Sequence, residues 1–208
     1  RGVCVGQDFP VGLFSALKKQ VKVEVARGAL FPERALKEAW ELAEIRKANA
    51  ACAEAIALVG KRVKSSKVHS GKLFYKGQAL TSEGLRREVQ ELFLSLDMVA
   101  VSDLIIAGGK QACDPHCLGS GQLRARELII VDIFAPRAES GYWGDMTRTF
   151  IKGEPSDAQR KLVGAVKLAQ ERVIKSLGEG VKAGEIHQGV QEFFASKGYK
   201  TQKRKSGY

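Results

Sequence analysis

The chain has 208 residues, 44% of them hydrophobic and 27% charged, with a formal net charge of +11. That is the composition of a globular protein, either one medium domain or one domain with part of another. No apolar run approaches the length of a membrane span, and four cysteines do not make a disulfide framework, so neither class is expected.

The N-terminal RGVCVGQDFP has no signal-peptide layout, and Arg1 is not an initiator methionine. A cytoplasmic protein, trimmed or processed at its start, is the expectation. Residues 1–28 read as a strand (Val3–Val5), a short helix from near Pro10 to about Gln20, and a second strand (Val21–Val25). A unit of this size cannot bury a core alone, so it should belong to something larger. From Leu36 to about Val63 the pattern is helical, with Ile45, Ala48, Cys52, Ile56 and Val59 on one stripe. Gly60 and the run K-R-V-K-S-S-K end it, and a polar connection holding Phe74 and Tyr75 follows. A second helix begins at about Ser82, capped by Thr81 or Ser82, with Leu85, Val89, Leu92, Phe93 and Leu96 on one face. Asp103–Ala107 reads as a strand closed by Gly108–Gly109.

Two further strands, Leu128–Ala135 and Tyr142–Ile151, form a hairpin around a loop with Pro136, Ser140 and Gly141. Each carries one aspartate, Asp132 and Asp145. With the tip between Ala138 and Glu139, the two would face each other directly across the ladder, about 4.5–5.5 Å apart at Cβ. Their neighbours Ile130, Val131, Ile133, Phe134 and Trp143 are apolar, and two unpaired ionised carboxylates there are costly. A shared divalent cation, or a pair of them, would relieve the conflict, with Thr147 on the same face. The alternative is a surface hairpin whose aspartates are solvated or paired with Arg148 and Arg124.

After the hairpin, Ser156 and Gln159 make a capping box for a long helix striped with Leu162, Val166, Ala169, Val173 and Leu177, and Gly178 closes it. A shorter helix, Gly184–Lys197, carries Ile186, Val190, Phe193 and Phe194, with Gly198 as its stop. The long-helix, short-helix order therefore recurs, which suggests an internal two-fold repeat. The second pair is followed by TQKRKSGY, with no strands for it to cover.

Three other features invite a site. Cys113 and Cys117 flank His116 in C-D-P-H-C, but His69 and His187 stand alone, so no second cluster completes a zinc site. Free thiols are the expectation there. His116 by itself is read as a loop histidine making ordinary hydrogen bonds. The basic residues are scattered, with little aromatic interleaving apart from the short group KTQKRK, and this is the pattern of a solvated surface rather than of a nucleic-acid binder.

The run VDIFAPRAESGYWGDMTRTF resembles the metal-binding hairpin of the pita-bread metallohydrolases: aminopeptidase P, prolidase, methionine aminopeptidase and creatinase. D-M-T-R-T-F follows their Asp-x-Thr-Arg-Thr pattern, the loop is a little longer than in many members, and the match covers most of 36–208. The resemblance implies an α+β fold: a partial pita-bread domain (36–208) lacking its C-terminal sheet, a linker (29–35) and a remnant of an N-terminal α/β domain (1–28). It implies that Asp132 and Asp145 are the first two of five ligands for two divalent cations, manganese or cobalt, or else zinc. Thr147 would support them, and His116, at the family's Pro-His position, would contact the peptide; Cys117 stands where members often carry an aromatic. The remaining ligands, a histidine of a His-Gly-x-Gly-His stretch and two glutamates, have no match in this chain, so activity is expected of a longer parent. That activity would be an Xaa-Pro aminopeptidase, with a prolidase-type dipeptidase or a non-catalytic module binding peptide, protein or RNA as alternatives. A peptide substrate and a homo-oligomer are the implied partners.

Overall fold

The computed structural model describes residues 2–200. Its first unit is β1 (Gly2–Val5), α1 (Val11–Leu17) and β2 (Lys22–Val25), with β1 and β2 parallel from Gly2↔Lys22 to Val5↔Val25. Among the described residues, no helix or strand of this unit packs against a later element. A short 3-10 turn, Pro32–Ala35, lies in the segment expected as a linker.

The rest is built on α2 (Ala39–Ser65), which begins three residues later than the sequence pattern suggests. Glu38 and Glu41 form the capping box that fixes this start: each side chain accepts a backbone N–H of the other end of the first turn. All of the expected stripe but the half-buried Ile45 is buried, and small residues dominate this face: Ala48, Cys52 and Val59, with Ala55 beside them, are fully enclosed. Small side chains let a helix lie close to a sheet.

That sheet is β6 (Ile105–Gly108), β7 (Ile129–Pro136) and β8 (Trp143–Phe150), antiparallel and in that order. Along β7 burial alternates strictly. Ile129, Val131, Ile133 and Ala135 are fully buried in the core that includes α2, while the residues between them lie on the other face. α3 (Ser82–Ser95) closes the core with Leu85, Val89 and Phe93. Thr81 is its cap, Oγ1 accepting the Gly84 N–H at 3.0 Å. Phe93 is fully enclosed, so Phe93→Ala should cost about 3–5 kcal/mol of unfolding free energy, measurable by urea titration.

The polar connection after α2 is not a loop. It is a three-stranded meander of β3 (Lys67–His69), β4 (Lys72–Tyr75) and β5 (Gln78–Ala79). Its two turns, Ser70-Gly71 and Lys76-Gly77, have positive φ at both residues, the geometry of a two-residue hairpin. Serine and lysine stand where asparagine or aspartate usually announces such a turn, which hides it in the sequence.

α4 (Asp157–Ser176) starts at the expected capping box, Ser156 Oγ accepting from the Gln159 N–H at 3.2 Å. α5 (Ala183–Ser196) packs on it around Ala165, Ala169 and Phe193. Much of the α4 stripe stays open: Val166 is 51% and Leu177 62% exposed. No described helix is long and apolar enough to cross a membrane. The basic run expected at 200–205 lies, beyond Lys200, outside the described residues.

Candidate metal centre

The β7–β8 register corrects one expectation. Asp132 faces Thr147 and Asp145 faces Phe134, so the two aspartates are diagonal neighbours rather than direct partners. The tip falls one residue later than expected, between Glu139 and Ser140, because several bonds pin it. The Arg137 N–H donates to the Tyr142 carbonyl at 2.9 Å, and the Ala138 N–H donates to the Asp97 carbonyl at 2.8 Å. The Tyr142 hydroxyl donates to the Glu41 carboxylate, and Arg137 pairs with Glu44 at 3.4 Å. Diagonal neighbours still share a face, at about 7–8 Å.

Because 137 and 142 are a hydrogen-bonded pair, alternation makes Asp132–Thr147 and Phe134–Asp145 non-hydrogen-bonded pairs. Side chains of such pairs lie closest together. The Thr147 hydroxyl accordingly donates to Asp132 Oδ1 at 2.5 Å. In the same pattern the Asp145 N–H points away from β7, off the free edge of the sheet. It finds the side chain of Asn49 on α2, donating to Oδ1 at 3.2 Å.

Asp132 is half-buried and Asp145 is exposed. Partial desolvation, and then the charge of Asp132, hold the Asp145 carboxyl above the usual carboxylate range. Neither aspartate forms an ion pair among the described residues. Arg124 instead pairs with Glu127, and Arg148 donates to the Thr147 carbonyl, so the surface-pairing alternative is not what the side chains do. Two uncompensated carboxylates with a hydroxyl beside them are an all-oxygen donor set, which suits a hard or borderline divalent cation. Among the described residues no three His, Cys, Asp or Glu side chains converge on one point, so Asp132 and Asp145 alone do not complete a coordination shell. Cys113, His116 and Cys117 accordingly do not form a zinc cluster, and all four thiols are free.

A cavity of about 360 Å³ opens beside Asp132, and Asp145 is not part of its lining. Asp132, Thr147 and Ile130 form one wall, and Ile105 and Ala107 of β6 the floor. The stretch from Ala112 to Pro115 forms the far side. His116 follows that stretch and is exposed; it is not part of the lining. Asp114 caps the turn, its Oδ1 accepting the His116 N–H at 2.9 Å, and does not orient the imidazole. His187 lies on exposed α5, beside Gln191.

One nearby residue escaped the sequence reading. Asn49 carries no motif, and only the register shows its role. Cys52 is fully buried, and burial pushes its thiol up to about 11, against a lowering by the Ala135 backbone and with a further rise from Asp145. A thiol so protonated is inert, which removes it as a nucleophile.

The fold is that of the pita-bread peptidases. The chain superposes on a prolidase from Pyrococcus horikoshii with a TM-score of 0.79 at 21% identity, covering 96% of this chain and 55% of that one. It superposes on Escherichia coli aminopeptidase P in complex with substrate with a TM-score of 0.73 at 20% identity, covering 94% and 45%. Residues 43–208 match metallopeptidase family M24, and the chain belongs to that family. In sequence it is 32% identical over 98 residues to an Xaa-Pro dipeptidase of Pyrococcus furiosus, which is 47% of this chain and 28% of that protein. It is 24% identical over 166 residues to a probable dipeptidase, PepE, of Mycobacterium tuberculosis, 79% of this chain and 40% of that protein. The chain thus spans about half, or less, of the proteins it matches.

Proposed function

We propose that this chain supplies part of the active site of a metal-dependent peptidase that cuts the bond before a proline at position two of a peptide. The observation that carries the reading is the presence of Asp132 and Asp145 on one face of a pinned hairpin in an M24 chain. Asp132 and Asp145 would hold two divalent cations, manganese or cobalt. When bound, such ions polarise the scissile carbonyl and make water nucleophilic at neutral pH. The Thr147 hydroxyl fixes the orientation of the Asp132 carboxylate by donating to it. The diagonal placement leaves more room between the carboxyl groups than direct facing would. His116 contacts the peptide beside the scissile carbonyl and donates a hydrogen bond as negative charge builds on the oxygen.

A second reading, a dipeptidase acting on Xaa-Pro, is favoured by a relative that carries that name at 32% identity. The two are separated by offering the protein, loaded with manganese or cobalt, an Xaa-Pro dipeptide and an Xaa-Pro-Yaa tripeptide. Preference for the tripeptide supports the aminopeptidase and preference for the dipeptide the dipeptidase. Cleavage of neither overturns both readings and leaves a peptide-binding module.

Asn49 enters as a positioning residue. Asn49→Ala removes the acceptor for the Asp145 N–H and should weaken divalent-cation binding by roughly ten- to a hundredfold, read by calorimetry. Unchanged affinity would show that the β8 backbone needs no such tether.

A further inference from the structure

The sheet face that carries the two aspartates also carries two aromatic rings that the core does not use. Phe134 lies directly across from Asp145, in a pair whose side chains are at their closest. Trp143 lies two residues from Asp145 on the same strand, opposite Pro136, and is 53% exposed. The two rings stand 6.4 Å apart between centroids, tilted by 31°. Neither belongs to the buried core cluster or to the residues packed against it.

The other tryptophan, Trp40, is just as exposed at 57%, but its ring is anchored. Trp40 donates its Nε1–H to Glu38 at 2.7 Å and meets Tyr142 edge-on. Trp143 has no hydrogen-bond partner for its indole among the described residues, and its neighbours on the face are Phe134 and Pro136, with Asp145 beside them.

We infer that Phe134 and Trp143 form the wall against which the proline ring of the substrate stacks, and so set the preference for proline next to the cleaved bond. This rests on the proposed peptidase reading. Proximity supports it: Trp143 lies two residues, about 6.8 Å, along the strand from Asp145 on the same face, and Phe134 lies directly opposite Asp145. A carbonyl held at Asp132 and Asp145 therefore has its neighbouring residue within reach of Trp143. Chemistry supports it too. A proline ring offers no N–H and presents C–H bonds to the electron-rich face of an aromatic, which is how aromatic-lined grooves recognise proline elsewhere.

The test uses the protein as cells make it, loaded with manganese, on matched Xaa-Pro and Xaa-Ala peptides. For Phe134→Leu and Trp143→Leu, KM for the proline peptide should rise about tenfold more than KM for the alanine peptide, with kcat moving less. Equal losses on both peptides would mean the rings merely support the hairpin and would overturn the inference. A preference unchanged in both variants would do the same while leaving the peptidase reading intact. Binding is read separately in metal-free protein, where a proline peptide should quench tryptophan fluorescence in the wild type and not in Trp143→Phe. If the wild type cleaves nothing, the peptidase reading fails and this titration still decides the wall. A quench identical in wild type and Trp143→Phe, or none in either, overturns it.

Discussion

Asp145→Asn is expected to lower kcat of the metal-loaded protein by on the order of a thousandfold, and at the same time to make the metal-free protein slightly more stable. The two effects share a cause. Burial and the Asp132 charge raise the Asp145 carboxyl above the usual carboxylate range, so folding favours its protonated form. A raised acidic group contributes stability that is complete below its unfolded value and is lost as pH rises through the folded one. At neutral pH the ionised Asp145 therefore opposes folding, and asparagine removes that opposition while keeping the shape. The gain is below about 1 kcal/mol, because the side chain is exposed and screened. A bound cation reverses the sign by neutralising the pair. Calorimetric metal titration, activity, and thermal unfolding with and without chelator check all three points. Retained activity would sink the assignment of Asp145 as a ligand, and a lower metal-free Tm would sink the electrostatic account.

The largest structural loss is expected from Gly144→Val. Here β8 lies so close to α2 that a Cβ on Gly144 would sit 2.4 Å from the Ala48 carbonyl carbon and oxygen and 2.7 Å from the Asn49 nitrogen. All of these are backbone atoms of a regular helix, so no side chain can swing aside. The helix must move off the strand, opening the layer of Ala48, Cys52 and Ala55 and pulling Asn49 away from the Asp145 N–H. We expect a loss of about 3 kcal/mol or more, at the upper end for overpacking, in chemical denaturation. Gly144→Ala should show the same direction. A midpoint equal to wild type in both variants would mean that the two elements can separate freely.

Much of this fold could be read from local signals because those signals act locally. The capping box at Ser156 and Gln159, the cap at Thr81 and the stripe from Ala48 to Val59 each depend on residues within one or two turns. What escaped depends on distant partners. The exact pairing of Asp132 was hidden because contacts from Glu41, Glu44 and Asp97 fix the hairpin tip, and none of these is near it in sequence. Asn49 was hidden for the same reason. The β3–β5 meander was hidden because its turns use Ser70 and Lys76 in a backbone conformation that those residues rarely adopt. The family, by contrast, was legible from the D-M-T-R-T-F run and its setting.

The strict alternation along β7 has a consequence for how such a protein can change. Residues 129, 131, 133 and 135 are buried in the core, and residues 130, 132 and 134 lie on the face of the candidate site, on one unbroken strand. Substitutions in the second set leave the first untouched, so ligand and substrate preferences can drift without endangering the scaffold. Insertions have no such freedom. A slip of one residue would turn Val131 and Ile133 outward and drive Asp132 into the apolar layer, losing fold and chemistry together. Lineages built on this hairpin should therefore vary at alternate positions while holding its length between the pinned ends by whole pairs of residues.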